Sequence, residues 1–274
     1  MDKIEQLLEH GQSCWLDDLS REMLDSGKLA RLVSGEGIRG VTSNPKTFAT
    51  ALTGGDDYHD DIRRLAAEGH DADTIHRKLM VDDVTRACDV LRPVFDRSDG
   101  GDGYVSIEVD PRLARKEDQS LEAARLLWHE VDRPNCMIEI RGTGGGLPAI
   151  ESALREGIRV NITLLFSPDR YGQVLSAYLA ALKDRAARNQ PLQPVTSVAS
   201  FFLSRIDVMV DELLAKEGGD LAEALRGQVA IALARRAYGR FIKSLTDPEW
   251  ERLAEAGARP QRLLWASTGQ KNPD

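Results

Sequence analysis

The chain has 274 residues, 42% hydrophobic and 29% charged, a globular composition with ample apolar material for a core. Its formal net charge of −8 argues against nonspecific binding to nucleic acid or anionic membrane, which draws on basic clusters. Three scattered cysteines, Cys14, Cys88 and Cys136, form no CxxC and fit a reduced cytoplasm, not a disulfide scaffold or zinc knuckle. The first residues carry Asp2, Glu5 and Glu9 and lack an apolar h-region, so no signal peptide is read. No apolar run approaches the ~20 residues of a membrane span. The expected setting is cytoplasmic.

Short apolar or β-branched runs bounded by Gly, Pro, Asp or Asn predict strands over 13–18, 38–43, 104–110, 136–141, 159–166, 195–201 and 262–267. Apolar residues at helical spacing lie between them. One helix is expected over 20–32, with Ser20 as its N-cap and Gly35 and Gly37 at its end. Residues 72–97 and 205–246 each exceed one crossover helix, and each is expected to hold two. The turn 98–103 reads as a mobile loop. Gly142, Gly144, Gly145 and Gly146 fit neither phosphate-binding glycine motif and read as a flexible helix lead-in.

The βαβα order implies a parallel sheet with helical crossovers. Continuous apolar runs, as over 158–166, suit strands buried on both faces. Seven strands are readable, and an eight-stranded barrel needs one more. The expectation is a single (β/α) barrel domain over 1–274, incomplete at its C-terminal end, with raw strand edges that invite a second copy or a partner chain.

Several segments resemble the transaldolase family. They are Trp15-Leu-Asp-Asp-Leu-Ser-Arg21, Gly40-Val-Thr-Ser-Asn-Pro45, Val105-Ser-Ile-Glu-Val-Asp-Pro111, Val160-Asn-Ile-Thr-Leu-Leu-Phe-Ser167, Val198-Ala-Ser-Phe-Phe-Leu-Ser-Arg205 and Leu264-Trp-Ala-Ser-Thr-Gly269, followed by Lys271-Asn-Pro273. The resemblance implies a (β/α)8 TIM-type barrel with its site at the C-terminal strand ends. It also implies transfer of a dihydroxyacetone unit between sugar phosphates, a step of the pentose phosphate pathway, through a lysine Schiff base that acts as an electron sink. No cofactor or metal is implied, and the expected partner is a small sugar phosphate.

By the same resemblance, Asp17 is the acid/base at the sugar hydroxyl, and Glu108 relays a proton through a water held by Thr163, with Asn161 nearby. Asn44 and Ser200 bind the dihydroxyacetone hydroxyls, Phe202 shapes the pocket, and Arg205 and Lys271 hold phosphate. Asp17, Glu108 and Thr163 independently stand out as polar residues within apolar strands. Other readings stay open: Asp17 as a helix N-cap, Asn44-Pro45 as a turn, Arg205 paired with Asp207 or Asp211, and Glu108 and Asp110 as rim ion-pair partners.

The fourth strand departs from the family. Where the family reads Lys-Ile-Pro-Ala-Thr, this chain reads Glu139-Ile140-Arg141-Gly142-Thr143. Glu139 therefore occupies the Schiff-base position, and a carboxylate cannot form an imine. Arg141 cannot substitute, because guanidinium stays protonated (pKa above ~12). Strand alternation places Glu139 and Arg141 on one face, where Arg141 replaces the lost positive charge. Three readings follow: a sugar-phosphate-binding protein without Schiff-base chemistry, an enzyme using Glu139 as base for isomerisation or dehydration, or a transaldolase using Lys46 or Lys116.

Overall fold

A computed structural model describes residues 3–43, 45–54 and 56–269. Its elements, in chain order, are α1 (Lys3–Glu9), β1 (Trp15–Leu16), α2 (Arg21–Asp25), α3 (Lys28–Gly35), β2 (Gly40–Thr42), α4 (Pro45–Gly54), α5 (His59–Ala67), α6 (Ala72–Arg97), β3 (Tyr104–Glu108), a 3-10 turn (Pro111–Leu113), α7 (Glu117–Val131) and β4 (Cys136–Arg141). They continue with α8 (Leu147–Arg155), β5 (Val160–Leu165), α9 (Pro168–Ala187), β6 (Ser197–Phe202), α10 (Ser204–Glu217), α11 (Asp220–Leu225), α12 (Val229–Leu245), α13 (Pro248–Glu255) and β7 (Arg262–Ala266). The strands follow one another in chain order with helices between them, the α/β architecture of the TIM-barrel type. Seven strands, and no eighth, lie among the described residues.

The chain divides into two compact units, one of Met1–Val109 with Ala123–Ile138, the other of Asp110–Glu122 with Glu139–Asp274. In the first, β1, β2 and β3 run parallel, Val41 lying between Leu16 and Val105. Gly40 must be glycine here, since an added Cβ would sit 2.3 Å from the Trp15 ring. The Asn135 side-chain amide donates to the carbonyls of Cys88 (2.9 Å) and Gly103 (2.8 Å), tying the lead into β4 to α6 and to the turn before β3.

Two helix expectations in this unit are corrected. The helix expected over 20–32 is two, because Gly27 adopts φ +68°, which ends α2 and restarts the chain as α3. Ser20 does cap α2, accepting from the Met23 amide. Residues 72–97 form one helix, not two: α6 runs through Pro93. An internal proline costs a helix about 3 kcal/mol. Leu79, Met80, Val84, Ala87, Cys88, Leu91 and Val94 are all buried along α6, and each large side chain contributes roughly 1.5–3 kcal/mol, so continuous burial wins. The turn at 98–103 is hydrogen-bonded, with the Asp102 amide donating to Ser98 Oγ at 2.9 Å and Tyr104 donating to the Gly100 carbonyl.

In the second unit β5, β6 and β7 run parallel, Ala199 lying between Ile162 and Leu263. The Gly142 amide, just past β4, donates to the Thr163 carbonyl at 2.9 Å. The register of β5 slips between Ile162 and Leu165, where Leu164 adopts φ +60°, a left-handed conformation uncommon for a branched side chain. Fully buried Tyr171 and Tyr178 on α9 fill the layer beside β5 and β6. Residues 205–246 hold three helices, α10, α11 and α12, because Gly218, Gly219 and Gly227 take positive φ and break the run twice.

Candidate active site

The site residues of the first unit lie at or beyond C-terminal strand ends. Asp17 was expected inside a strand; it lies one residue past β1 and is exposed, because β1 closes at Leu16. Its Oδ1 accepts from Thr42 Oγ1 at 2.7 Å, so the last residue of β2 fixes its carboxylate. Asp17 caps no helix, since Ser20 holds that position. Thr42 was not singled out from sequence, although it lies inside the Gly40–Pro45 motif. Glu108 ends β3 and is 8% exposed. Asp110 instead caps the 3-10 turn through the Arg112 amide and pairs with the Arg112 guanidinium at 2.6 Å. Asn44 and Lys271 lie outside the described residues, as does the side chain of Lys46.

In the second unit, three neighbouring strands bring a polar chain together. Glu139 on β4 is 7% exposed, Asn161 on β5 fully buried and Ser200 on β6 3% exposed. Ser200 Oγ–H donates to Asn161 Oδ1 at 2.7 Å, and Asn161 Nδ2–H donates to Glu139 Oε2 at 3.4 Å. Register explains the first contact. Asn161 pairs with Val198, and Ser200 lies two residues further on the same face of β6. Thr163, two residues beyond Asn161 and within the register slip of β5, is 3% exposed. β4 stays regular through Arg141, so alternation sets Glu139 and Arg141 on one face, with Arg141 half-buried at the strand end.

Phe202 ends β6, packs on Phe166 with ring centres 5.5 Å apart, and carries the Arg205 guanidinium 4.9 Å from its own ring centre. Arg205, the second residue of α10, is exposed and has no ion pair among the described residues. Asp207 and Asp211 accept instead from the backbone amides of Ala230 and Gly227 at 3.0 Å, closing α10 against the start of α12. Every lysine with a described side chain is exposed, Lys116 among them.

The loop from β4 into α8 is held more firmly than a flexible lead-in. Thr143 Oγ1–H donates to the Ala114 carbonyl at 2.6 Å and accepts from the Gly146 amide at 3.0 Å. A Cβ on Gly146 would meet the Arg141 carbonyl oxygen at 2.3 Å. Sequence reading had the glycines but not this anchoring, whose partner lies 29 residues earlier.

Parallel strands in chain order, joined by helices, define a barrel-type α/β protein. Residues 14–274 match the model of the family Transaldolase/Fructose-6-phosphate aldolase. The chain is 49% identical over 271 residues to the transaldolase of Thermobifida fusca, covering 99% of this chain and 74% of that protein. It is 49% identical to the transaldolase of Mycobacterium marinum, covering 96% of this chain and 71% of that one. Against transaldolase 1 of Streptomyces avermitilis it is 46% identical over 273 residues. The chain belongs to the transaldolase family.

Proposed function

We propose that this protein binds phosphorylated sugars at its strand tips without forming the lysine imine, so that the family's dihydroxyacetone transfer is lost. The observation that carries this reading is the burial of Glu139 on β4, hydrogen-bonded by Asn161, at the position that the family resemblance gives to the imine-forming lysine. The exposure of every lysine with a described side chain agrees with it. Asp17 and Glu108 are the candidate proton-transfer groups, and Thr163 holds a water. Asn44 meets the substrate hydroxyls, Phe202 walls the pocket, and Arg205, Arg141 and Lys271 neutralise the anionic ligand. Arg205 suits phosphate because its guanidinium is steadied on the Phe202 ring rather than tied to a carboxylate. A single barrel domain working in the cytoplasm fits this reading.

The test is a reductive trap. The protein is incubated with fructose 6-phosphate, reduced with borohydride, and its intact mass and peptide map recorded beside a lysine-bearing transaldolase. The expected outcome is no adduct here and a stable one in the control. An adduct would overturn the proposal and name the lysine, Lys46 and Lys116 being the first to check.

A further inference from the structure

We infer that Glu139 is a general base that removes a proton from the carbon beside the carbonyl of a phosphorylated ketose, and that Asn161 and Ser200 are positioning residues holding its carboxylate for that step. The inference rests on the reading that the site takes sugar phosphates, and assigns a reaction to it. Two hydrogen bonds carry it. The Ser200 hydroxyl donates to Asn161 Oδ1, which leaves the Asn161 amino group turned to Glu139 Oε2 as a donor. That donor is met by a carboxyl oxygen of Glu139, which fixes the orientation of the side chain. The three side chains are almost entirely buried, so the chain runs where water does not compete for its hydrogen bonds.

A carboxylate so held and shielded is suited to carbon-acid chemistry. In the step assigned to it, the C1–H bond of the ketose breaks and its proton goes to Glu139. The electron pair of that bond forms C1=C2, and the C2 carbonyl pair moves onto O2. Arg141, on the same face of β4, brings a cation to the side on which that oxyanion forms. Return of a proton to C1 closes the cycle and regenerates the carboxylate, and no oxidant, metal or second substrate enters the balance. The Ser200 proton, which the family resemblance would aim at substrate, is committed here to Asn161.

The experiment follows fructose 6-phosphate by proton NMR in deuterated buffer, with binding measured in parallel by calorimetry on the whole chain. Enzyme-dependent loss of the C1 proton signals is expected, falling at least about 100-fold in Glu139→Gln. Ser200→Ala is expected to lower the saturated exchange rate about tenfold with the half-saturating concentration unchanged, since a brace acts on the base and not on affinity. Binding without exchange would overturn the inference and leave the binding reading standing. Absence of binding would overturn both. A Ser200→Ala that raised the half-saturating concentration at an unchanged saturated rate would make Ser200 a substrate ligand and overturn its positioning role. Thermal melts screen each variant for folding. Should Glu139→Gln fail to fold, Glu139→Asp, which keeps the charge and retracts it by one methylene, must also lower exchange, and an undiminished rate would sink the assignment.

Discussion

At Arg21 one guanidinium meets three carboxylates: Asp83 at 2.5 Å, Asp61 at 2.8 Å and Asp82 at 3.0 Å. Tyr58 completes the group, donating its hydroxyl to Asp83 Oδ2 at 2.6 Å and accepting from the Arg21 backbone amide at 3.1 Å. Arg21 is 6% exposed, Asp83 1% and Tyr58 fully buried, so the centre of the network joining α2, the start of α5 and α6 is dry, whereas Asp61 and Asp82 reach solvent. Breaking a buried pair leaves an uncompensated charge, and Arg21→Met is expected to cost about 3–5 kcal/mol in urea unfolding at neutral pH. The pH dependence follows from the two carboxylates. Burial pushes the Asp83 carboxyl above its ordinary value of 3.8, against the Tyr58 hydrogen bond and the Arg21 charge. Removing Arg21 raises it further, so protonation relieves the buried charge as pH falls. Asp61 has the opposite sign: the Arg21 hydrogen bond holds it below 3.8, so its contribution persists above that value and is lost as pH falls through the lowered one. The Arg21→Met deficit should therefore shrink as pH falls from neutrality into the acid range and Asp83 takes up its proton. A deficit constant across that range would refute the account. None of this was legible in sequence, because the partners of Arg21 lie 37 to 62 residues away and no local pattern joins them. Glu108 and Thr163 were legible, because a polar residue in an apolar strand stands out whatever its partners are.

The seven strands were readable because parallel strands buried on both faces leave short apolar runs that Gly, Pro and Asp delimit. Helix breaks were less so. Gly27 splits a helix that the apolar spacing alone would run together, whereas Pro93 fails to split one, since burial on both sides of it outweighs the lost hydrogen bond. The same limit applies to the loop between β4 and α8, where four glycines in five residues read as slack. Their surroundings differ. An added Cβ at Gly146 would collide with the Arg141 carbonyl oxygen at 2.3 Å, whereas at Gly144 it would meet nothing nearer than an Arg170 nitrogen at 4.0 Å. A clash with backbone moves more than a clash with the end of a flexible side chain. Gly146→Ala is expected to lose roughly 1–3 kcal/mol, in the range of overpacked sites, and Gly144→Ala to stay within about 0.5 kcal/mol. Urea midpoints of the two variants, at unchanged m-value, decide the matter. Equal effects would mean that the loop is as loose as the sequence suggests.

At the scale of the whole molecule, burial is uneven along the second unit. β5 and β6 are almost wholly buried, whereas every residue of β7 is half-buried. Large apolar side chains lie in solvent on three of the four helices between β6 and β7: Met209 and Leu213 on α10 (60% and 55% exposed), Leu221 on α11 (74%), and Ile231, Tyr238 and Ile242 on α12. Scattered exposed leucines are ordinary, but Ile231, Tyr238 and Ile242 recur at seven and then four residues and so form one stripe along α12. The strand pattern gave the number of strands but not this exposure, because an apolar helical face reads the same in sequence whether it is covered or bare. Side chains that bury little area add little stability, whereas a filled core position adds much. Changing Met209, Leu213 and Leu221 together to Gln should shift the unfolding free energy by less than about 0.5 kcal/mol per site. Leu182→Ala, at a fully buried position of α9, should cost about 2–5 kcal/mol. The triple variant should also bind less of an apolar dye such as anilinonaphthalene sulfonate and associate less at high concentration in sedimentation, since contiguous exposed apolar surface drives both. If the three substitutions together destabilised the protein as much as Leu182→Ala, those side chains would be packed rather than exposed.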